Sequence, residues 1–180
     1  RVFHIKNTSE PETDYLPLYS AETTADNDDT LNDTLPSSTL VTFGNSNVNN
    51  GDNNYVGYVW TSIQGFSKFE LYIGNADADG PFCFCGFKPA FVIGKNTTND
   101  GSHWFMIDNK RPGYNGGSNW IKTDYAQAEL TNLVNPDFLA NGFKIRSSDG
   151  IYSASGSTYV WIAFAEAPFV NSNGVPCNAG

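Results

Sequence analysis

Clusters of asparagine, glycine, serine and aspartate interrupt this sequence at short intervals, and they constrain its fold more than any other feature. Three of them, residues 44–54, 96–102 and 115–119, consist largely of small polar residues and glycine. Such stretches form turns because glycine tolerates positive φ and because Asn and Asp side chains bond their own backbone. Between the clusters lie short stretches rich in Val, Ile, Thr, Tyr, Phe and Trp, a composition typical of β-strands.

The fold class that follows is all-β, most economically a two-sheet antiparallel β-sandwich. Helical periodicity is nearly absent, and only residues 124–133 are compatible with a short helix, with Thr123 or Asp124 as its cap. The predicted strands are residues 2–6, 39–43, 55–61, 68–74, 82–87, 90–95, 103–108, 142–146 and 159–165.

Side-chain alternation predicts which strands lie at the centre of a sheet. Residues 159–165 are apolar on both faces, a pattern that a half-solvated strand would not tolerate. We therefore expect this strand to be central, with Phe164 among its buried side chains. The same expectation holds for residues 82–87 and 90–93.

Two segments of the chain resemble each other. Residues 54–60 read Asn-Tyr-Val-Gly-Tyr-Val-Trp, and residues 158–164 read Thr-Tyr-Val-Trp-Ile-Ala-Phe, each after a polar loop. The spacing of about 100 residues is that of a whole domain. We therefore predict that residues 1–63 are the rear part of a preceding similar repeat, or N-terminal strands of the same sandwich. The alternative is a chance similarity between two amphipathic β-hairpins. Residues 64–169 are predicted to form the β-sandwich domain, and residues 170–180 a C-terminal tail.

The charge balance excludes two classes of partner. The sequence has 19 acidic and 10 basic residues, which gives a net charge of −9. Binding to nucleic acid or to an anionic membrane surface needs clustered Lys and Arg. No apolar run reaches the roughly 18 residues that a membrane-spanning helix requires. Neither nucleic acid binding nor membrane insertion is therefore expected.

The three cysteines are too few for a scaffold held together by disulfides. Cys83 and Cys85 are two residues apart in a predicted strand, so they share one face of it. One interpretation is that all three thiols are buried or half-buried. The alternative is a disulfide with Cys177 if the C-terminal tail folds back, and Cys85–Cys177 is the pair that we consider.

The sequence contains no recognisable catalytic pattern, and we predict that the chain is not an enzyme. A glycoside hydrolase needs two carboxylates on either side of the sugar, whereas Glu70, Glu129 and Glu166 are isolated along the chain. His4 and His103 also stand alone, and His103 is interpreted as a surface or interface residue.

One loop has the spacing of a metal site. Asn75, Asp77 and Asp79 place three oxygen ligands at alternating positions, which suits a hard cation such as calcium. Solvated turn residues are the alternative for this loop, and no other cofactor is expected.

Three aromatic residues are candidates for ligand binding. Tyr114, Trp120 and Tyr152 lie next to loops rich in Asn, Ser and Gly. An exposed ring at such a place can stack on the apolar face of a sugar while amides and carboxylates bond its hydroxyl groups. Packing in the core or at an interface is the alternative for each ring.

Several motifs of this sequence resemble one known family. The motifs are Gly65-Phe-Ser-Lys-Phe69, Tyr72-Ile-Gly-Asn75, Asp79-Gly-Pro-Phe82, Gly86-Phe-Lys-Pro-Ala-Phe-Val92 and Tyr159-Val-Trp-Ile-Ala-Phe-Ala-Glu-Ala-Pro-Phe169. Over residues 39–177 the chain resembles the β-rich domain that is repeated in virion proteins of marine and other environmental tailed bacteriophages. That domain is usually described as a tail-fibre or concanavalin-A-like domain, so the resemblance implies a concanavalin-A-like or jelly-roll sandwich.

The resemblance also implies a function and a location. The chain would be a structural and adhesion module at the virion surface, outside cells, as the C-terminal domain of a tail or head fibre. Its partners would be a host-surface polysaccharide or protein, other virion proteins and other copies of itself, with a trimer as the oligomer common in fibres. The alternative is a capsid decoration or extracellular filament protein that acts through assembly contacts without a ligand. A glycoside hydrolase is the least favoured interpretation.

Overall fold

The computed structural model describes residues 14–44, 49, 51, 53–113, 115, 119–131 and 136–167. Within these residues the elements, in chain order, are β1 (Asp14–Tyr15), β2 (Ala25–Asp26), α1 (Asp28–Leu31), β3 (Ser67–Ile73), β4 (Phe82–Phe84), β5 (Pro89–Asn96), β6 (Phe105–Asp108), β7 (Ile121–Lys122), β8 (Asp137–Leu139), β9 (Gly142–Lys144), α2 (Gly150–Ser153) and β10 (Thr158–Ala165).

The strands form antiparallel sheets, and the all-β sandwich expected from the sequence is confirmed. A five-stranded sheet has the order β3-β10-β5-β6-β7, and a three-stranded sheet has the order β4-β9-β8. β1 and β2 form a separate two-stranded sheet near the N-terminal end of the described chain. The predicted sandwich segment, residues 64–169, contains the eight strands β3 to β10.

β10 is a central strand, as its two apolar faces predicted. It pairs along most of its length with β3 on one side and β5 on the other. Tyr159, Trp161 and Ala163 point into the main core, where each is at most 1% exposed. Phe143 of β9 contacts the Trp161 ring edge-on, with ring centroids 5.1 Å apart. This contact joins the two sheets across the core.

A glycine makes close packing possible inside the five-stranded sheet. Gly94 of β5 pairs with Trp161 of β10 and with Phe105 of β6. The Phe105 ring lies against the Gly94 backbone, and a Cβ added there would be 2.3 Å from the Phe105 Cζ atom. A larger residue at position 94 would therefore displace a fully buried ring.

The outer face of the five-stranded sheet is covered at one end only. Leu16, Trp104 and Val160 form a second buried cluster there, and the Trp104 indole Nε1–H donates to the Pro17 carbonyl over 2.8 Å. The prediction that Phe164 is buried in the core is wrong. Phe164 lies on the uncovered part of this outer face and is only half-buried, because the core face of β10 belongs to the odd-numbered residues.

Two predicted strands are absent from the structure. Residues 39–43 and 55–61 form no strand, and Tyr55 is 48% exposed whereas Tyr159 is fully buried. The two similar segments therefore lie in unlike environments, because only residues 159–165 have strands to pair with on both sides. The predicted strand at residues 2–6 lies outside the described residues, as do residues 170–180, and the division of the chain at position 63 stays a prediction.

Two local predictions are wrong. Residues 124–131, the described part of the predicted helix, are not helical, because the chain folds back and Leu130 pairs with Trp120 through two backbone hydrogen bonds of 3.0 Å. β4 is not central: it is an edge strand, so Phe82 and Phe84 face solvent at 44% and 60% exposure while Cys83 faces the core.

Candidate functional site

An open polar cleft lies where three loops converge. Its lining residues are Gly101, Ser102 and His103 before β6, Lys122 at the end of β7, and Asp149 and Ile151 at the start of α2. The cleft thus combines a cation, a carboxylate, a hydroxyl and an imidazole, which are groups that bond to a polar ligand.

His103 is fixed in the cleft by a buried carboxylate. Its Nδ1 atom is 3.0 Å from Oδ2 of Asp124, whose side chain is fully buried. The other oxygen of Asp124 accepts the backbone N–H of Trp104 over 3.2 Å. The carboxylate therefore sets the orientation of the imidazole, and Nε2 is the ring nitrogen that Asp124 leaves available.

An exposed aromatic ring lies next to the histidine. Tyr125 is 57% exposed, and its ring centroid is 5.2 Å from that of His103. The Lys122 ammonium is 5.7 Å from the same tyrosine ring, within the range of a cation–π contact. An aromatic face therefore lies beside the hydrogen-bonding groups of the cleft.

A buried lysine supports the loop that carries His103. Lys95 is fully buried, and its ammonium donates to the carbonyls of Ala21, over 3.2 Å, and Asn96, over 2.9 Å. Burial lowers the pKa of Lys95 to about 8, against the opposing effect of Asp124 and Asp100. The backbone of Gly101 also donates to the Ala21 carbonyl. The N-terminal segment and the cleft loop are thus held together.

The aromatic residues singled out from the sequence do not form a site. Trp120 and Tyr152 are each only 2% exposed, and their rings meet edge-on with centroids 5.8 Å apart. Both belong to the main core, so neither presents a face to a ligand. The burial of these two rings corresponds to the alternative considered for each, packing in the core. Tyr114 lies outside the described residues.

The acidic loop before β4 is held by its own hydrogen bonds. Oδ1 of Asn75 accepts the N–H of Asp77, and Oδ1 of Asp77 accepts the N–H of Asp79. The Lys144 ammonium is 2.8 Å from Asp79, and its hydrogen bond lowers the pKa of that carboxyl. These contacts do not support the calcium interpretation, because a lysine already neutralises Asp79. Among the described residues, no three His, Cys, Asp or Glu side chains are arranged to hold a metal ion.

Cys83 and Cys85 are free thiols, and both are buried on one face, as the alternation predicted. Burial raises the pKa of Cys85 to about 12 and raises that of Cys83 further. Cys177 lies outside the described residues, and its pairing with Cys85 has no support in the described part, where Cys85 is free.

The three glutamates considered for glycoside hydrolysis are each paired with a cation. Glu70 is 3.7 Å from the Lys68 ammonium, Glu166 is 2.8 Å from that of Lys88, and Glu129 pairs with Arg111. The Lys68–Glu70 pair lies within β3, whereas the other two pairs each join loop residues that are far apart in sequence.

Sequence reasoning missed the residues that form the cleft. His103 was interpreted as a surface or interface residue, and Asp124 as one of two candidate helix caps, although the two side chains are in contact. The one local signal was the dipeptide Asp124-Tyr125, an acid beside an aromatic residue in a polar loop.

Within the described ranges, no helix is both long and apolar enough to cross a membrane.

Comparison with known proteins identifies one family. The sequence model described as Domain of unknown function (DUF7483) matches residues 1–168, and so runs across position 63. No curated protein and no solved structure matches the chain.

Proposed function

The chain belongs to the DUF7483 family, whose domain has no known function, and we propose a function from the residues of this chain. The proposed function is that of an adhesion module on a virion surface that binds a host-surface saccharide. The observation that carries this proposal is the cleft together with the exposed Tyr125 ring beside it, which lies 5.2 Å from the oriented imidazole of His103. The phage setting comes from the motifs that resemble tail-fibre domains.

The chemistry of the cleft fits a sugar. The face of Tyr125 offers apolar surface for the C–H groups of a pyranose ring, and Lys122, Asp149 and His103 offer partners for its hydroxyl groups. The loops that bear these groups are attached to a rigid sandwich, which positions them before a ligand arrives. Several copies on one particle would add avidity to a weak single site.

A binding assay tests the proposal. The purified chain is screened against fragments of bacterial O-antigen and capsular polysaccharide, and the affinity of any bound fragment is measured by calorimetry. Tyr125→Ala is expected to weaken binding at least about tenfold, which corresponds to about 1.4 kcal/mol. Tyr19→Ala is the matched control, because Tyr19 is 71% exposed and is not a cleft residue, whereas Tyr125 contacts His103 of the cleft. Equal affinity for Tyr125→Ala and wild type would contradict the proposal.

A second candidate function has its own observation. Residues 55–60 expose a run of apolar side chains, which favours a decoration or filament module that acts through assembly contacts. A chain that assembles but binds no fragment in the screen would favour this alternative.

A further inference from the structure

The largest exposed apolar stretch of the described chain lies just before the sandwich. Its large residues are Tyr55, Val56, Tyr58, Val59 and Trp60, with exposed fractions of 48%, 79%, 74%, 80% and 57%. The rings of Tyr58 and Trp60 stack on each other with centroids 5.7 Å apart, so they form one apolar cluster.

The composition of this stretch favours pairing with the identical stretch of another copy of the chain. No charged residue and no proline occurs from Asn53 to Ser67, and the large residues are aromatic or β-branched. Uncharged segments of high β-propensity pair readily with identical segments, and proteins usually protect exposed ones with charge or proline. Neither protection is present here.

The stretch is tied to an edge strand. Ile63 and Ser67 exchange two backbone hydrogen bonds of 2.9 and 3.0 Å, which closes a tight turn into β3. Ser67 Oγ–H donates to the Thr61 carbonyl over 2.8 Å, and the N–H of Phe69 donates to Ser62 Oγ over 3.1 Å. β3 is the outermost strand of the five-stranded sheet. The apolar stretch is thus held where a further strand would join the sheet.

A row of phenylalanine rings extends this apolar surface onto the sheet. Phe66 is 39% exposed and its ring meets Phe164 at 6.1 Å, and Phe69 and Phe91 lie at the same distance from Phe164. Residues 55–60 together with these four rings form what we call the apolar surface.

We propose that the apolar surface is covered by the same surface of a second copy of this chain. Two copies each carry a charge of −9 and repel one another, and an uncharged surface is where they meet without bringing like charges together. The stretch pairs with the identical stretch of the second copy. Both copies therefore use the same residues at the contact, as in a two-fold symmetric dimer. This contact is separate from the His103 cleft and needs no saccharide.

The test measures oligomeric state without any saccharide. Light scattering after size exclusion, and sedimentation from micromolar to millimolar concentration, should show a monomer–dimer equilibrium for the wild-type chain. Val59→Lys places two like charges at the contact and should raise the dissociation constant at least about tenfold. Tyr19→Lys makes the same charge change at an exposed site elsewhere and should leave the dissociation constant of the dimer unchanged. Added sodium chloride should strengthen the dimer, because it screens the repulsion between the copies.

Several results would overturn the proposal. They are a monomer at all concentrations, a dimer that Val59→Lys does not weaken, and a dimer that salt dissociates, since that last result would mean charge pairing. Circular dichroism and thermal unfolding of Val59→Lys show whether it is folded. Because Val59 is 80% exposed, its melting temperature should match that of the wild-type monomer.

Discussion

The ring of Tyr72 lies parallel to the ring of Tyr159, with centroids 4.7 Å apart and an angle of 2° between the planes. The two hydroxyl groups hold the α2 region against the sheet. The Tyr72 hydroxyl donates to the Tyr152 carbonyl, and the Tyr159 hydroxyl accepts the Ala154 N–H, each over 2.8 Å. Because α2 begins beside Asp149, this stacked pair positions one wall of the cleft.

We expect Tyr159→Phe to destabilise the chain while preserving the ring stack. The variant removes the hydroxyl that bonds the Ala154 N–H, the Asn96 amide and the Gly150 carbonyl. Buried partners left without a hydrogen bond cost about 1–3 kcal/mol in the free energy of unfolding, measured by urea titration. Tyr72→Phe loses the hydroxyl hydrogen bond to the Tyr152 carbonyl and should cost less, so an equal or larger cost for Tyr72→Phe would contradict this role for Tyr159.

Trp161→Ala should lower the free energy of unfolding by about 3–5 kcal/mol, because it opens a cavity between the two sheets. Trp161 is 1% exposed and contacts Phe143 edge-on. Phe82→Ala is the control, since Phe82 is 44% exposed on an edge strand, and its cost should be about 1 kcal/mol or less. Similar losses for both variants in chemical unfolding would show that the core does not lie between the sheets.

Lys95 should make the stability of the chain depend on pH. Its pKa is about 8 in the folded chain against an ordinary value of 10.5, so between these values the unfolded chain binds more protons. The free energy of unfolding therefore gains a contribution that rises with pH across this window. Lys95→Met lacks that contribution. The free energy of unfolding of the wild type minus that of Lys95→Met, measured by urea titration, should increase from pH 8 to 10.5. A difference that does not change with pH would show that the pKa of Lys95 is not lowered in the folded chain.

The thiols of Cys83 and Cys85 should resist alkylation in the folded chain. Burial excludes the reagent, and the raised pKa values keep both groups protonated near pH 8. In a Cys177→Ser background, iodoacetamide followed by mass spectrometry should show almost no modification until denaturant is added. Rapid labelling of the folded chain would mean that this core face opens to solvent.

Strand-period patterns predicted much of the sandwich because alternation is a local property of the sequence. They identified β3, β5, β6, β9 and β10, and they identified β10 as central. They failed at residues 55–61, whose composition matches that of β10, because a strand also needs neighbours to pair with and local propensity does not supply them.

The cleft was beyond sequence reasoning for a different reason. His103 and Asp124 are 21 residues apart, and only the pairing of β6 with β7 brings their side chains together. The sequence left open whether Trp120 and Tyr152 are exposed, because a ring beside a polar loop is exposed or buried according to the path of that loop. Here Leu130 returns to pair with Trp120 and the ring enters the core.

The construction of the cleft from three separate loops has an evolutionary consequence. Lys122, Asp149 and His103 enter it from different segments, while the tyrosine stack and Gly94 lie in the framework beneath. A substitution in one loop can change what the cleft accepts without disturbing the other two walls or the sheets. If the cleft binds a saccharide as we propose, single substitutions in one loop would change which saccharide binds, and each variant would still fold.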